Sequence, residues 1–206
     1  TADPATLPDG SGRARKSEAI LFDLLKARTL ALNPGLPEAV IDDALARLVN
    51  GRAAMSPVLA NKEVYHLLRD GIPVEYQNAQ GRSDHARVKV IEFRDAAQND
   101  FLAVSQLWIQ GDVRYRRPDI LLYVNGLPLV FIELKNSNVA LKHAYDDNLT
   151  NYKHDIPHLF LANAVCILSN AIDTKVGSFT AGWEHFFTWL RVSDETEPID
   201  RKQIER

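Results

Sequence analysis

Asp119 and Glu133 stand fourteen positions apart around a run of apolar residues, and Lys135 follows two positions after the second carboxylate. The stretch reads PDILLYVNGLPLVFIELKN. Val, Ile, Leu, Phe and Tyr fill both arms, and Asn125-Gly126 between them is a strong hairpin signal. Side chains alternate along a strand, so Glu133 and Lys135 point the same way. With an odd number of loop residues Val124 pairs with Pro128, and Asp119 then lies directly opposite Glu133. A two-residue loop shifts that register by one. Under either register two carboxylates come close in an apolar layer, which is costly unless a cation neutralises them.

The chemistry this suggests is metal-assisted hydrolysis of a phosphodiester. Two carboxylates suit a hard cation such as Mg2+, which keeps several waters and also takes phosphate oxygens. Such an ion acidifies water and offsets charge on the transferring phosphorus group. Asp119 and Glu133 are the expected metal ligands, the Leu134 backbone carbonyl an additional one, and Lys135 the group that orients or activates the attacking water. The competing reading is a hairpin edge on which Glu133 and Lys135 form a surface salt bridge. A Glu-x-Lys pair alone discriminates poorly. Pro118-Asp119 ahead of it, across a two-sided apolar hairpin, favours the site.

The surrounding elements read as helical first and mixed afterwards. Residues 1–12 are rich in Pro, Gly and Asp and are expected to be disordered. A helical extension over 13–55 follows: Ser17 is expected to cap a helix carrying Ile20, Leu21, Leu24 and Leu25. Pro37 opens a second, with Val40, Ile41, Ala44, Leu45, Leu48 and Val49 on one face and Gly51 at its end. From Ser56-Pro57 a third helix runs to Asp70-Gly71. Strands are expected at 72–76, 87–93, 101–109, in the 119–135 hairpin and at 164–168, with a helix over 139–155 stopped by Pro157. Strands flanked by helices make an α/β sandwich around one sheet. The assigned catalytic domain is 56–192, and the polar, charged 193–206 reads as a linker.

Pro118-Asp119 with Glu133-Leu134-Lys135 resembles the PD-(D/E)xK nucleases, and more narrowly the N-terminal endonuclease domain of the restriction (R) subunit of type I restriction-modification enzymes. Asn61-Lys62-Glu63 to Gly71-Ile72-Pro73-Val74-Glu75-Tyr76 is similar to that family's opening helix and strand. The segments YKHDIPHLF, Ser169-Asn170 and VGSFTAGWEHFFTW are similar to its later blocks. The resemblance implies the restriction-endonuclease-like fold, with a central mixed sheet flanked by helices. It implies a Mg2+-dependent endonuclease acting on double-stranded DNA. ATP enters only through helicase-like motor domains that would lie beyond Arg206, and the implied partners are methyltransferase and specificity subunits in a prokaryotic cytoplasm. It also points to Glu63 as an accessory acid near the metal, and to Asn148 and Tyr152 as an active-site support. The family has glutamine where this chain has Asn148, one methylene shorter. A bridging water is then the simplest way for Asn148 to reach the site.

Composition constrains the rest. The 206 residues are 46% hydrophobic, enough for one substantial core. The single cysteine, Cys166, lies in an apolar run and reads as a buried structural thiol in a reducing compartment. No apolar run approaches membrane-spanning length, and no histidine pair has zinc spacing. No Walker A motif occurs. Net charge is −3, so weak DNA affinity is expected from the chain alone. Arg114, Arg116 and Arg117, just before Asp119, are the candidate DNA-contacting cations, with a second cluster at Arg82, His85, Arg87 and Lys89. Two other functions remain open: a non-catalytic module docking the motor or methyltransferase core, and a self-sufficient nuclease.

Overall fold

The computed structural model describes residues 7–50, 52 and 54–189. Gly51, residues 1–6 of the expected disordered tail and the expected 193–206 linker lie outside the described residues. Residues 7–12 curl around Arg13, whose side chain is buried and bound by Asp9 at 2.9 Å.

Three helices open the chain: α1 (Phe22–Leu32), α2 (Glu38–Val49) and α3 (Pro57–Asp70). The first begins later than Ser17 would set it. The Leu21 amide is taken by the Gly126 carbonyl at 2.9 Å, which holds the entering chain on the hairpin turn until Phe22. The second starts just after Pro37, and α3 starts as expected, with Ser56 accepting the Leu59 N–H and Pro57 in the first turn. Ile41, Ala44, Leu45 and Leu48 of α2 and Val64 of α3 are almost fully buried. Their core is shared with an antiparallel ribbon of β1 (Ile72–Gln77) and β2 (Ser83–Val88). That ribbon stands apart from the main sheet, and β2 starts four residues before the expected 87–93 strand and ends at Val88.

The main sheet has six strands. In chain order they are β3 (Phe101–Ser105), β6 (Ile120–Val124), β7 (Leu127–Leu134), β8 (Val165–Ser169), β9 (Thr174–Gly177) and β10 (Phe187–Thr188). Between β3 and β6 a second ribbon intervenes, β4 (Ile109–Gln110) with β5 (Tyr115–Arg116). The sheet order is β10-β9-β8-β7-β6-β3, with β7 and β8 parallel and the other pairs antiparallel. A parallel pair needs a crossover, and residues 142–155 supply it. This helix starts three residues later than expected and is π-helical over Ala144–Leu149 before becoming α4 (Thr150–Asp155). One face of the sheet, with Leu121, Tyr123, Phe131, Cys166 and Leu168, packs under Ala144, Leu149, Tyr152 and Phe160. The result is the expected mixed-sheet α/β architecture of a restriction-endonuclease-like fold.

Candidate active site

The hairpin turn has two residues, Asn125 and Gly126, both at positive φ, so Val124 pairs with Leu127. By the turn alone Asp119 would miss Glu133 by one position. A bulge restores the alignment: Tyr123 pairs with Pro128 but Leu122 pairs with Val130, leaving Leu129 as the extra residue. Ile120 then faces Ile132, and the next position brings Asp119 to Glu133. The turn is fixed from within. Asn125 is fully buried, accepts the Asp100 N–H at 2.7 Å and donates to Val90 and Asn99, each at 2.8 Å.

The structure brings Asp119, Glu133, Lys135, Asn148 and Tyr152 to one end of the sheet. Asp119 Oδ2 accepts the Leu134 N–H at 2.8 Å, and no hydrogen bond reaches Oδ1 among the described residues. Glu133 is 2% exposed. Its Oε1 accepts from Asn148 Nδ2 and, more loosely, from Lys135 Nζ at 3.4 Å. Its Oε2 is buried with no partner. Burial first, and the Asp119 charge second, push Glu133 up to about 7, against the pull of Lys135.

Asn148 thus touches Glu133 directly, without the expected intervening water. It lies in the π-helical stretch, a widened turn of the kind found at functional sites. Tyr152, four residues on, is buried edge-on to Phe131 at 5.6 Å and donates its hydroxyl to the Arg117 carbonyl at 3.2 Å. Burial, followed by the Glu133 charge, raises Tyr152 to about 12, so it remains a neutral donor.

Glu63 is not brought to this cluster. Its carboxylate is held by Arg52 at 2.9 Å, in a groove beside α2 and β1. Asn61, two residues earlier, binds the carbonyls of Phe160, Leu161 and Asn163. These lie where the crossover returns toward Leu129, at the end of β7 away from Glu133. Arg116 is committed as well: its Nε donates to Asp155 at 2.6 Å, whereas Arg114 and Arg117 are exposed. One supporting residue was marked only as part of a block. Asn170 binds the Val139 carbonyl at 2.9 Å and receives the Asp173 N–H at 2.8 Å, bracing the loop after Lys135.

A hard divalent cation fits these donors. Asp119 Oδ1 and Glu133 Oε2 are left unmatched, and two carboxylates offer oxygen donors only. Among the described residues no group of three His, Cys, Asp or Glu converges. For such an ion the remaining ligand positions would fall to water and phosphate.

The mixed six-stranded sheet with its flanking helices defines a restriction-endonuclease-like fold. Residues 3–185 match the family model described as type I restriction enzyme R protein N terminus, and the chain belongs to that family. It is 36% identical over 190 residues, 90% of its length, to the type I restriction enzyme HindI endonuclease subunit of Haemophilus influenzae. Over 150 residues, 70% of its length, it is 29% identical to the type I restriction enzyme SsaAORF53P endonuclease subunit of Staphylococcus saprophyticus. The matched stretches cover 18% and 15% of those relatives, so the chain spans a small part of their length. No helix among the described residues is long and apolar enough to cross a membrane.

Proposed function

We propose that this chain is a Mg2+-dependent DNA endonuclease domain that hydrolyses phosphodiesters of double-stranded DNA within a larger type I restriction enzyme. The observation that carries the reading is a buried carboxylate, Glu133, with one unpartnered oxygen next to a second carboxylate and a lysine. Here the pairing to Lys135 is loose and leaves Oε2 unmatched.

Asp119, Glu133 and the Leu134 carbonyl would hold Mg2+, which when bound supplies a more acidic water and offsets charge on the phosphate. Asp119 is oriented for this by the Leu134 N–H, and Glu133 by Asn148. Lys135, partly exposed, reaches out from the same strand to hold the attacking water and to steady negative charge on the phosphate oxygens. Tyr152 fixes the backbone at Arg117, two residues before Asp119.

Motor domains on the same polypeptide would drive ATP-dependent translocation, and methyltransferase and specificity subunits would anchor the assembly. The relatives' names and their much greater length support that context. Lys135→Ala tests the chemistry in the assembled enzyme with ATP and Mg2+. Cleavage of plasmid DNA should fall at least about a hundredfold, the usual scale for such a group, with metal binding retained. Normal cleavage would reduce Lys135 to a salt-bridge partner.

A further inference from the structure

We propose that the ribbon of β4 and β5 is an arm for unpaired DNA. It would stack bases on Trp108 and Tyr115 and bind the flanking phosphates with Lys16, Arg114 and Arg117 as the strand approaches Asp119. This rests on the nuclease reading above.

The outward side of the ribbon is unusually apolar for a surface. Trp108 is 45% exposed, Val113 at the turn 90% and Tyr115 51%. A cation lies against each exposed ring: the Arg117 guanidinium is 5.1 Å from the Trp108 centroid, and Lys16 Nζ is 5.9 Å from that of Tyr115. Aromatic faces interleaved with cations are what a nucleic-acid strand with unstacked bases requires. Bases within a duplex keep their faces covered, so a duplex would use the cations alone. Among the acids of this region, Asp155 is held by Arg116 and His154 and also acts on Arg114, and Asp112 stands at the turn.

The ribbon is also held firmly. Arg13, with a fully buried side chain, donates to the Trp108 carbonyl at 3.1 Å and the Glu18 carbonyl at 3.0 Å. The Gln110 N–H binds the Lys16 carbonyl at 2.9 Å, which sets Lys16 beside the ribbon. Gly111 passes so close to the end of α4 that a Cβ there would lie 1.8 Å from the Asp155 carbonyl oxygen. Tyr152 ties Arg117 to the helix that carries Asn148. The buried side of the ribbon is thus fully used, and its aromatic side is aimed outward from a fixed base.

Reach agrees with this placement. Arg117 is two residues before Asp119, at most about 7 Å away along the chain. A phosphate at Asp119 and Glu133 would have its near neighbours within range of Arg117 and Arg114.

The test is binding of a labelled twelve-nucleotide single strand and of a matched duplex, with Ca2+ present and across a salt series. Trp108→Ala and Tyr115→Ala should each weaken single-strand binding about tenfold and leave duplex binding unchanged. Trp108→Phe, which keeps a ring, should restore most of the loss and exclude misfolding as its cause. Arg114→Ala and Arg117→Ala should each flatten the salt dependence by about 0.7 in log–log slope. No single-strand binding by the unmodified protein would overturn the proposal, as would unchanged affinity in the ring variants or equal losses on duplex. If the ring variants bind normally while Lys135→Ala stops cleavage, the arm falls and the nuclease reading stands. If the unmodified assembled enzyme cuts no DNA with ATP and Mg2+ while the ring variants lose the strand, the nuclease reading falls and the arm stands.

Discussion

Asp119 Oδ2 receives the backbone N–H of Leu134 at 2.8 Å, so the first carboxylate of the site is oriented by the strand that carries the second. The contact exists because the bulge at Leu129 compensates the two-residue turn. The Glu133 carboxyl is pushed up by burial, which leaves it waiting for a cation.

The burial of Glu133 sets a pH dependence. Glu133 titrates at about 7 in the folded protein against an ordinary 4.5. A carboxyl with a raised folded value binds its proton more tightly when folded, so stability is full below about pH 4.5 and is lost as pH rises through 7. The loss is at most about 3 kcal/mol. Urea unfolding in EDTA at pH 5 and pH 8 should show a decline for the wild type that Glu133→Gln largely removes. The same decline in both proteins would contradict the burial argument.

Asn148 donates a hydrogen bond to Glu133. Asn148→Ala should lower Mg2+ affinity about tenfold or more, the usual effect of losing a residue that orients a ligand. Asn148→Gln, which restores the residue of the resembled family, should retain most of the affinity. Calorimetric titration of both variants checks this; unchanged affinity in the alanine variant would show that Glu133 is oriented without Asn148.

Gly126 holds the hairpin against α1. It sits at φ +80°, and a Cβ there would lie 2.4 Å from the Leu21 carbonyl oxygen. Gly126→Ala should cost about 2 kcal/mol or more, read as a lower urea midpoint. A smaller change would mean that the N-terminal segment can move off the turn without loss.

The hairpin and its three polar residues were legible because alternation, Asn-Gly and the Pro-Asp spacing all sit in one short stretch. The helices α2 and α3 were legible through Pro37 and Ser56-Pro57. The bulge was not: Leu127, Leu129 and Val130 are equally apolar, and nothing in their types marks Leu129 as the extra residue. The π-helical stretch was hidden for a similar reason, since residues 144–149 are compatible with an ordinary helix. Short β9 and β10 lack a run long enough to show alternation. Glu63 was misplaced because its position depends on where α3 packs, and the Asn61 contacts that decide this lie about a hundred residues away in sequence. The supposed Ser17 cap failed to a tertiary contact, the Leu21–Gly126 hydrogen bond.

The most direct measurement is calorimetric titration of Mg2+, and of Ca2+ as a non-supporting ion, into the wild type and Asp119→Ala at pH 8, where Glu133 is mostly ionised. Both ions should bind the wild type at one saturable site, with binding lost or weakened at least tenfold in Asp119→Ala, and with unfolding experiments showing that the variant remains folded. Equal binding of either ion by the two proteins would contradict the assignment of Asp119 and Glu133 as the metal site.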